Sequence, residues 1–209
     1  MTFTRWRPPA RGALFVVTGP SGTGKTTLVK AALNTVPGIN FSVSATTRAA
    51  RKGETHGKDY LFIDRPSFDS KIAAGDFLEW ADVYGNRYGT LKSTVEEALN
   101  QGQSILLDID DKGAAQVRAA MPEAISIFVL PPSIETIEAR LRARATDSED
   151  IIVGRIAEAR ARLAQCADFD YLLINDDLST AHQCFQAILI AELQRRIRRL
   201  DVVEQFTPQ

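Results

Sequence analysis

The residues best suited to chemistry lie near the start of the chain, where Gly19-Pro20-Ser21-Gly22-Thr23-Gly24-Lys25-Thr26 satisfies G-x-x-x-x-G-K-[ST]. The glycines let the backbone curl until successive N–H groups face inward, a concavity suited to phosphate oxygens. A helix starting behind the loop adds the partial positive charge of its N-terminus. Lys25 has the reach to neutralise β and γ phosphates, and the Thr26 hydroxyl can coordinate Mg²⁺. The pattern implies a nucleoside triphosphate bound for phosphoryl transfer. By itself it leaves open a kinase, a GTPase, a motor or a transporter ATPase.

Other charged groups could complete such a site. Arg48 and Arg51 stand three residues apart and precede Tyr60, with Tyr88 further on. Two guanidinium forks and two phenolic hydroxyls suit a dianionic phosphate. Asp108 and Asp110, in Leu106-Leu-Asp-Ile-Asp, end an apolar run where a carboxylate can hold Mg²⁺ or its waters. The same pair could instead cap the next helix. Arg140, Arg144 and Arg155 form a later arginine-rich stretch.

The elements that must position these groups alternate. Leu14–Val17 reads as a buried strand stopping at the glycine loop, and Thr26–Leu33 as a helix ended by Pro37-Gly38. The polar stretch Ser42–Thr90 has short strand-like pieces at Phe41–Ser44 and Tyr60–Ile63, and a helix at Ser67–Ala74. Ser104–Ile109, Ile125–Leu130 and Tyr171–Ile174 read as further strands. Helices are expected from a Ser133 cap to about Arg142, over about Ile151–Cys166, and over Thr180–Leu200. The expected fold is α/β: a P-loop NTPase-type parallel sheet flanked by helices, with an inserted mixed α/β lobe.

With Ser42-Val-Ser-Ala-Thr-Thr-Arg48-Ala-Ala-Arg51, Gly57-Lys-Asp-Tyr60, Phe77-Leu-Glu79-Trp80 and Gly85-Asn-Arg-Tyr88-Gly89-Thr90 in order, the chain resembles guanylate kinases over about Gly12–Glu192. Those enzymes transfer a phosphoryl group from ATP to GMP. The resemblance implies that Arg48, Arg51, Tyr60 and Tyr88 hold the GMP phosphate, with Arg48 also acting in the transfer. It gives Ser44, Glu79 and Thr90 to the guanine pocket. Guanine presents adjacent N1–H and N2–H₂ donors that one carboxylate can accept, whereas adenine presents an acceptor at N1. Asp110 would face GMP, and Asp108 with Thr26 the Mg²⁺ side. Arg144 and Arg155 would contact the transferring phosphoryl group from the lid, Arg140 would pack on adenine, and Asn175 would lie beside it, although Asn175-Asp176-Asp177 suits a helix cap equally well. A general base is not needed, because the acceptor is a phosphate oxygen already anionic at neutral pH; alignment and charge neutralisation remain. The implied layout is a core of 12–41, 91–138 and 156–192, a GMP lobe at 42–90 and a lid at 139–155. A loose leader, 1–11, and a helix end with tail, 193–209, flank it. Both GMP and dGMP fit as acceptors.

Several positions depart from the family pattern: Ala45, Ala50, Lys52, Lys112 and the alanines Ala143 and Ala145 around Arg144. Alanine favours helix over glycine by about 1 kcal/mol per residue, which predicts a stiffer lid hinge. None of these changes removes a group the mechanism needs. His56 and His182 have no neighbour in sequence suggesting catalysis, and the basic run Gln194–Arg199 reads as a solvated helix end.

The remaining features bound the function. With 209 residues the chain fits one domain carrying inserted lobes, and a net charge of −1 gives no global field for nucleic acid or an anionic membrane. Cys166 and Cys184 lack metal-ligand spacing and read as free thiols of a cytoplasmic protein. No apolar run approaches a membrane span. ATP and GMP are the expected partners, with the protein a monomer or small homo-oligomer. Two other functions fit the residues less well: a scaffold module that has lost catalysis and binds phosphopeptides, and a P-loop kinase acting on another acceptor.

Overall fold

A computed structural model of the chain describes residues 6–143 and 148–206. It begins with β1 (Leu14–Thr18), α1 (Lys25–Thr35), β2 (Ile39–Phe41), β3 (Ala45–Thr46), β4 (Leu61–Phe62), α2 (Arg65–Ala74), β5 (Phe77–Val83) and β6 (Asn86–Leu91). Then come α3 (Lys92–Asn100), β7 (Ser104–Asp108), α4 (Asp111–Ala120), β8 (Ile125–Leu130), α5 (Ile134–Ala143) and α6 (Glu149–Leu163). β9 (Tyr171–Ile174), α7 (Leu178–Leu193) and α8 (Leu200–Phe206) complete the order.

The main sheet is parallel, in the order β2-β7-β1-β8-β9. β1 lies at its centre and every residue of it is buried. Its side chains alternate between two apolar layers, as the strand period requires. Phe15 and Val17 pack with Leu28 of α1 and Phe185 of α7, while Leu14 and Val16 pack with Val95 and Leu99 of α3 and Val117 of α4. Covered on both faces, the central strand has no reason to alternate apolar with polar residues. Its continuous apolar run is legible for that reason.

A second sheet, β4-β3-β6-β5, has its own small core of Ala45, Phe68, Phe77 and Leu91, with the rings of Phe68 and Phe77 stacked at 4.4 Å. β5 and β6 form a hairpin turning at Tyr84 and Gly85, both at positive φ. Neither this hairpin nor α3 is among the elements expected from sequence, and α4 is expected only as the helix following Asp108 and Asp110. A strand is expected at Phe41–Ser44, where the chain instead leaves the main sheet after Phe41 and enters the small one at Ala45. A third cluster joins α5 to α6 through Ile137, Leu141, Ile152 and Ala159.

Two expectations about the ends need correcting. The helix expected to run to Leu200 is α7 and stops at Leu193, a 3₁₀ turn follows at Arg196–Arg198, and α8 then begins. The basic run is a solvated helix end only as far as Ile197. Arg198 is buried and donates to the Gly12 carbonyl at 2.9 Å, while Arg199 donates to the carbonyls of Arg7 and Pro8. Residues 6–11 are correspondingly not loose, since Trp6 packs against the main core and the Ala10 N–H donates to the Arg198 carbonyl. Residues 1–5 and 207–209 of the expected leader and tail lie outside the described residues.

Candidate active site

The glycine loop leaves the C-terminal end of β1 and is pressed against β8. Gly19 has φ 143°, and a Cβ there would meet the Val129 carbonyl oxygen at 2.4 Å, so no side chain fits. Gly24, at φ 86°, is the N-cap of α1 and supplies no side-chain cap, leaving the helix end suited to an anion from outside. A Cβ at Gly24 would collide with Asn175, whose Nδ2 donates to the Thr23 carbonyl at 2.6 Å. The Thr23 hydroxyl donates to the Pro20 carbonyl at 3.0 Å. These bonds fix the curl, which lines a small concavity from Pro20 to Thr27 that includes Ser21.

Lys25 reaches back across the loop and donates to the Gly19 carbonyl at 2.8 Å. Burial pushes its ammonium below the ordinary lysine range and nearby Arg162 pushes the same way, while Asp108 and Asp111 oppose both. Asp108 ends β7 with its carboxylate open to the cleft. Protein nonetheless surrounds it closely enough for desolvation to raise its pKa, against the pull of Lys25. Asp110 is the N-cap of α4 and accepts from the Gly113 N–H at 2.8 Å. Capping, left open as an alternative for the pair, therefore describes Asp110 and not Asp108.

The small sheet faces this end of β7 across a cleft of about 390 Å³ lined by Ser44, Tyr60, Thr90 and Asp108 among others. A bulge between Phe77 and Glu79 places Glu79 directly opposite Thr90, and Phe77, Leu78 and Glu79 are all buried in succession. The Thr90 hydroxyl donates to Glu79 Oε1 at 2.7 Å. Burial pushes the Glu79 carboxyl above its ordinary value, Asp110 adds to this, and the Thr90 bond restrains it. A buried carboxylate with one neutral donor still has lone pairs to offer.

Arg48 is covered by its neighbours, with 13% side-chain exposure. Its Nε donates to the Tyr88 hydroxyl at 3.2 Å, and its guanidinium lies 5.4 Å from the Tyr60 ring centre. Both Nη atoms donate to Glu54, at 2.9 and 3.0 Å, which holds the Arg48 pKa well above the usual arginine range. Glu54 also accepts from the Arg51 N–H at 2.7 Å, while the Arg51 residue is exposed. The carboxylate thus takes the fork geometry that a phosphate would take. Sequence reasoning gave Glu54 no role, although its position six residues after Arg48 and three after Arg51 was visible.

On the other side of the loop, Gly22, Gly24, Thr27, Ala143, Asn175 and Asp176 line a second depression of about 350 Å³. Asn175 is buried there, and Asp177 caps α7 by accepting from the Thr180 N–H at 2.8 Å. The helix-cap reading of Asn175-Asp176-Asp177 therefore holds for Asp177, while Asn175 lines the depression. Thr26 is exposed on the first turn of α1, and Arg155 is half-buried on α6. α5 runs through Ala143. Arg144 and Ala145 lie outside the described residues, as does the side chain of Arg140. The histidines have structural contacts: His182 sits 3.3 Å from the Thr35 hydroxyl, and His56 Nδ1 accepts from the Phe62 N–H at 3.2 Å.

Comparison with known proteins gives a consistent set of matches. The guanylate kinase family model matches residues 11–192. A guanylate kinase of Carboxydothermus hydrogenoformans is 52% identical over 182 residues, covering 87% of this chain and 89% of its own. One from Symbiobacterium thermophilum is 49% identical over 188 residues, covering 90% and 89%. The crystal structure of guanylate kinase from Anaplasma phagocytophilum superposes with a TM-score of 0.69 at 33% identity, covering 97% of each chain.

Proposed function

The chain belongs to the guanylate kinase family and is a nucleoside monophosphate kinase that transfers a phosphoryl group from ATP to GMP; on that premise we propose which residues do the work. The alternatives, a scaffold and a kinase with another acceptor, are not favoured by these relatives. Residues 42–90 form the acceptor lobe, 139–155 the lid and the remainder of 12–192 the core.

The loop Gly19–Thr26 cradles the ATP phosphates with backbone N–H groups, and Lys25 gives up the Gly19 carbonyl for the β/γ phosphates. The depression beside Asn175 takes the adenine, with Arg140 packing on it. Arg48, Arg51, Tyr60 and Tyr88 hold the GMP phosphate, while Glu79, Ser44, Thr90 and Asp110 define the guanine pocket. A GMP phosphate oxygen attacks the γ phosphorus, the bond to the ADP oxygen breaks, and GDP and ADP leave. Lys25, Arg48, Arg144 and Arg155 offset the charge that develops on the transferring group.

Thr26 and Asp108 fit Mg²⁺. Both are exposed oxygen donors, and Asp108 is near enough to act on the ammonium of Lys25, the residue next to Thr26. Bound there with the phosphates, Mg²⁺ would supply charge neutralisation. dGMP is accepted too, because the assigned groups engage phosphate and base rather than the ribose. A cytoplasmic setting accords with the free thiols of Cys166 and Cys184.

The observation that carries the acceptor assignment is the buried Glu79–Thr90 pair. The test is an ADP-release assay offering GMP, dGMP, AMP, CMP and UMP to wild type and Glu79→Gln. Preference for GMP and dGMP in wild type, weakened in the variant, is the expected result. An unchanged preference in Glu79→Gln would remove Glu79 from the pocket.

A further inference from the structure

The steps above leave unused a three-residue tie beside the glycine loop. Asp111, the first residue of α4, accepts from Arg162 on both carboxylate oxygens, Nε to Oδ2 and Nη2 to Oδ1 at 2.9 Å. The Thr18 hydroxyl donates to the same Oδ1 at 2.6 Å and lies 3.4 Å from Arg162 Nη2. Thr18 is fully buried, and the side chains of Arg162 and Asp111 are only 19% and 13% exposed. The tie joins three elements at the points where each meets the site. Thr18 ends β1 immediately before Gly19, Asp111 follows Asp110, and Arg162 comes from α6.

On α6 the residues turned towards the protein are Ile152, Arg155, Ile156, Ala159, Arg162 and Leu163, at helical spacing. Ile152 and Ala159 pack on Ile137 and Leu141 of α5. Such apolar contact is non-directional and lets a helix roll or slide at little cost. A two-pronged guanidinium–carboxylate contact fixes both distance and orientation. Arg155 lies seven residues, two turns, before Arg162 on the same face, so whatever fixes Arg162 fixes the direction of Arg155. The two charges of the tie oppose one another beside Lys25, so α6 is anchored there without adding net charge.

We propose that Arg162, through Asp111 and Thr18, is a positioning residue that sets the roll of α6 and so aims Arg155 at the transferring phosphoryl group. The proposal rests on the assignment of Arg155 made above. The test compares kcat, KM for each nucleotide and Tm for Arg162→Met, Arg162→Lys, Asp111→Asn, Arg155→Met and the double variants, assayed well below the lowest Tm.

Arg162→Met is expected to lower kcat about 30-fold with KM for GMP changed by less than about twofold, the pattern of a misaimed group. Arg162→Lys recovers little, because an ammonium cannot span both carboxylate oxygens and the Thr18 hydroxyl. Asp111→Asn falls in the same range, and combining it with Arg162→Met adds almost nothing. In an Arg155→Met background, Arg162→Met costs less than about threefold. A lowered Tm with intact kcat in Arg162→Met would make the tie a brace and overturn the proposal, as would its full cost persisting without Arg155. If Arg162→Met does not fold, Asp111→Asn decides by the same criteria. Wild-type kcat in Arg155→Met would remove the Arg155 assignment and the proposal together. Loss in Arg155→Met with none in Arg162→Met or Asp111→Asn would remove the positioning role alone.

Discussion

On the proposed assignment the donor loop and the acceptor lobe both hold phosphate, and they are built on opposite principles. The loop Gly19–Thr26 relies on backbone. Its shape comes from glycines at positive φ, from β8 pressed against Gly19, and from Asn175 bonded to Thr23. The acceptor lobe relies on side chains: Arg48 held by Glu54 and Tyr88, and Glu79 held by Thr90, on a sheet with a small core of its own. Backbone donors do not titrate and tolerate no change of shape. Side-chain sites tolerate small shifts of backbone but fail when a charge or a fork is lost. The donor half is therefore vulnerable to steric change, and the acceptor half to chemical change.

The largest expected effect tests whether the halves are separable. Lys25→Met should lower kcat by roughly 10³-fold, the size of losing one positioned charge at a developing anion, with GMP binding measured by calorimetry nearly unchanged. Equal loss of GMP affinity would break the distinction. The mirror experiment is Arg48→Met, which should reduce kcat/KM for GMP about 100-fold with little change in KM for ATP. Arg48→Lys should not restore it, since one ammonium cannot replace the fork presented to Glu54 and Tyr88.

Glu79→Gln should reduce kcat/KM for GMP by about 50-fold, corresponding to about 2–3 kcal/mol for a hydrogen-bond pair to a charged group. Its stability should move the other way. The folded-state pKa of Glu79 is raised by burial above the ordinary 4.5, so the carboxyl favours folding only while protonated and loses that contribution as pH rises through the folded value. At pH 7 the glutamine variant should therefore melt above wild type, and the gap should close as the pH falls towards 4.5. A lower Tm at pH 7 would mean that Thr90 and its neighbours more than offset desolvation.

The smallest effect concerns shape alone. Gly19→Ala places a methyl against the Val129 carbonyl at a backbone angle alanine disfavours, costing about 2 kcal/mol of stability. Thermal melts should show a loss of about 4–8 °C, with a higher KM for ATP and an unchanged one for GMP. A change in the GMP value would show that the loop also shapes the acceptor half.

The parts legible in sequence were those whose signal is local. The strand–loop–helix around Gly19–Thr26 could be read because a glycine pattern, an apolar strand and a helical period adjoin in the chain. The strands at Ile125–Leu130 and Tyr171–Ile174 have the expected bounds, because each is a short, mostly apolar run: β8 is buried as far as Val129, and β9 keeps Leu173 buried at the sheet edge while Leu172 and Ile174 are exposed. The β5–β6 hairpin is not legible because its strands carry Glu79, Trp80, Asp82, Arg87 and Tyr88 and are buried only towards one end. Mixed polarity there reflects the site, and periodicity cannot separate it from a loop. Glu54 and Arg162 were missed because nothing local distinguishes a surface charge from one that folding brings against a partner.

On its own the sequence determined the chemistry of the donor site and, through its ordered motifs, the nucleotide that receives the phosphate. Tertiary structure decided which charges meet. It put Glu79 opposite Thr90 through a bulge, set Glu54 on Arg48, and joined Arg162 to Asp111 across 51 positions of chain. The physical reason is one of range. Backbone conformation follows from residues close in sequence, whereas the strength of a charge depends on its burial and its partner, and those exist only once distant segments have packed.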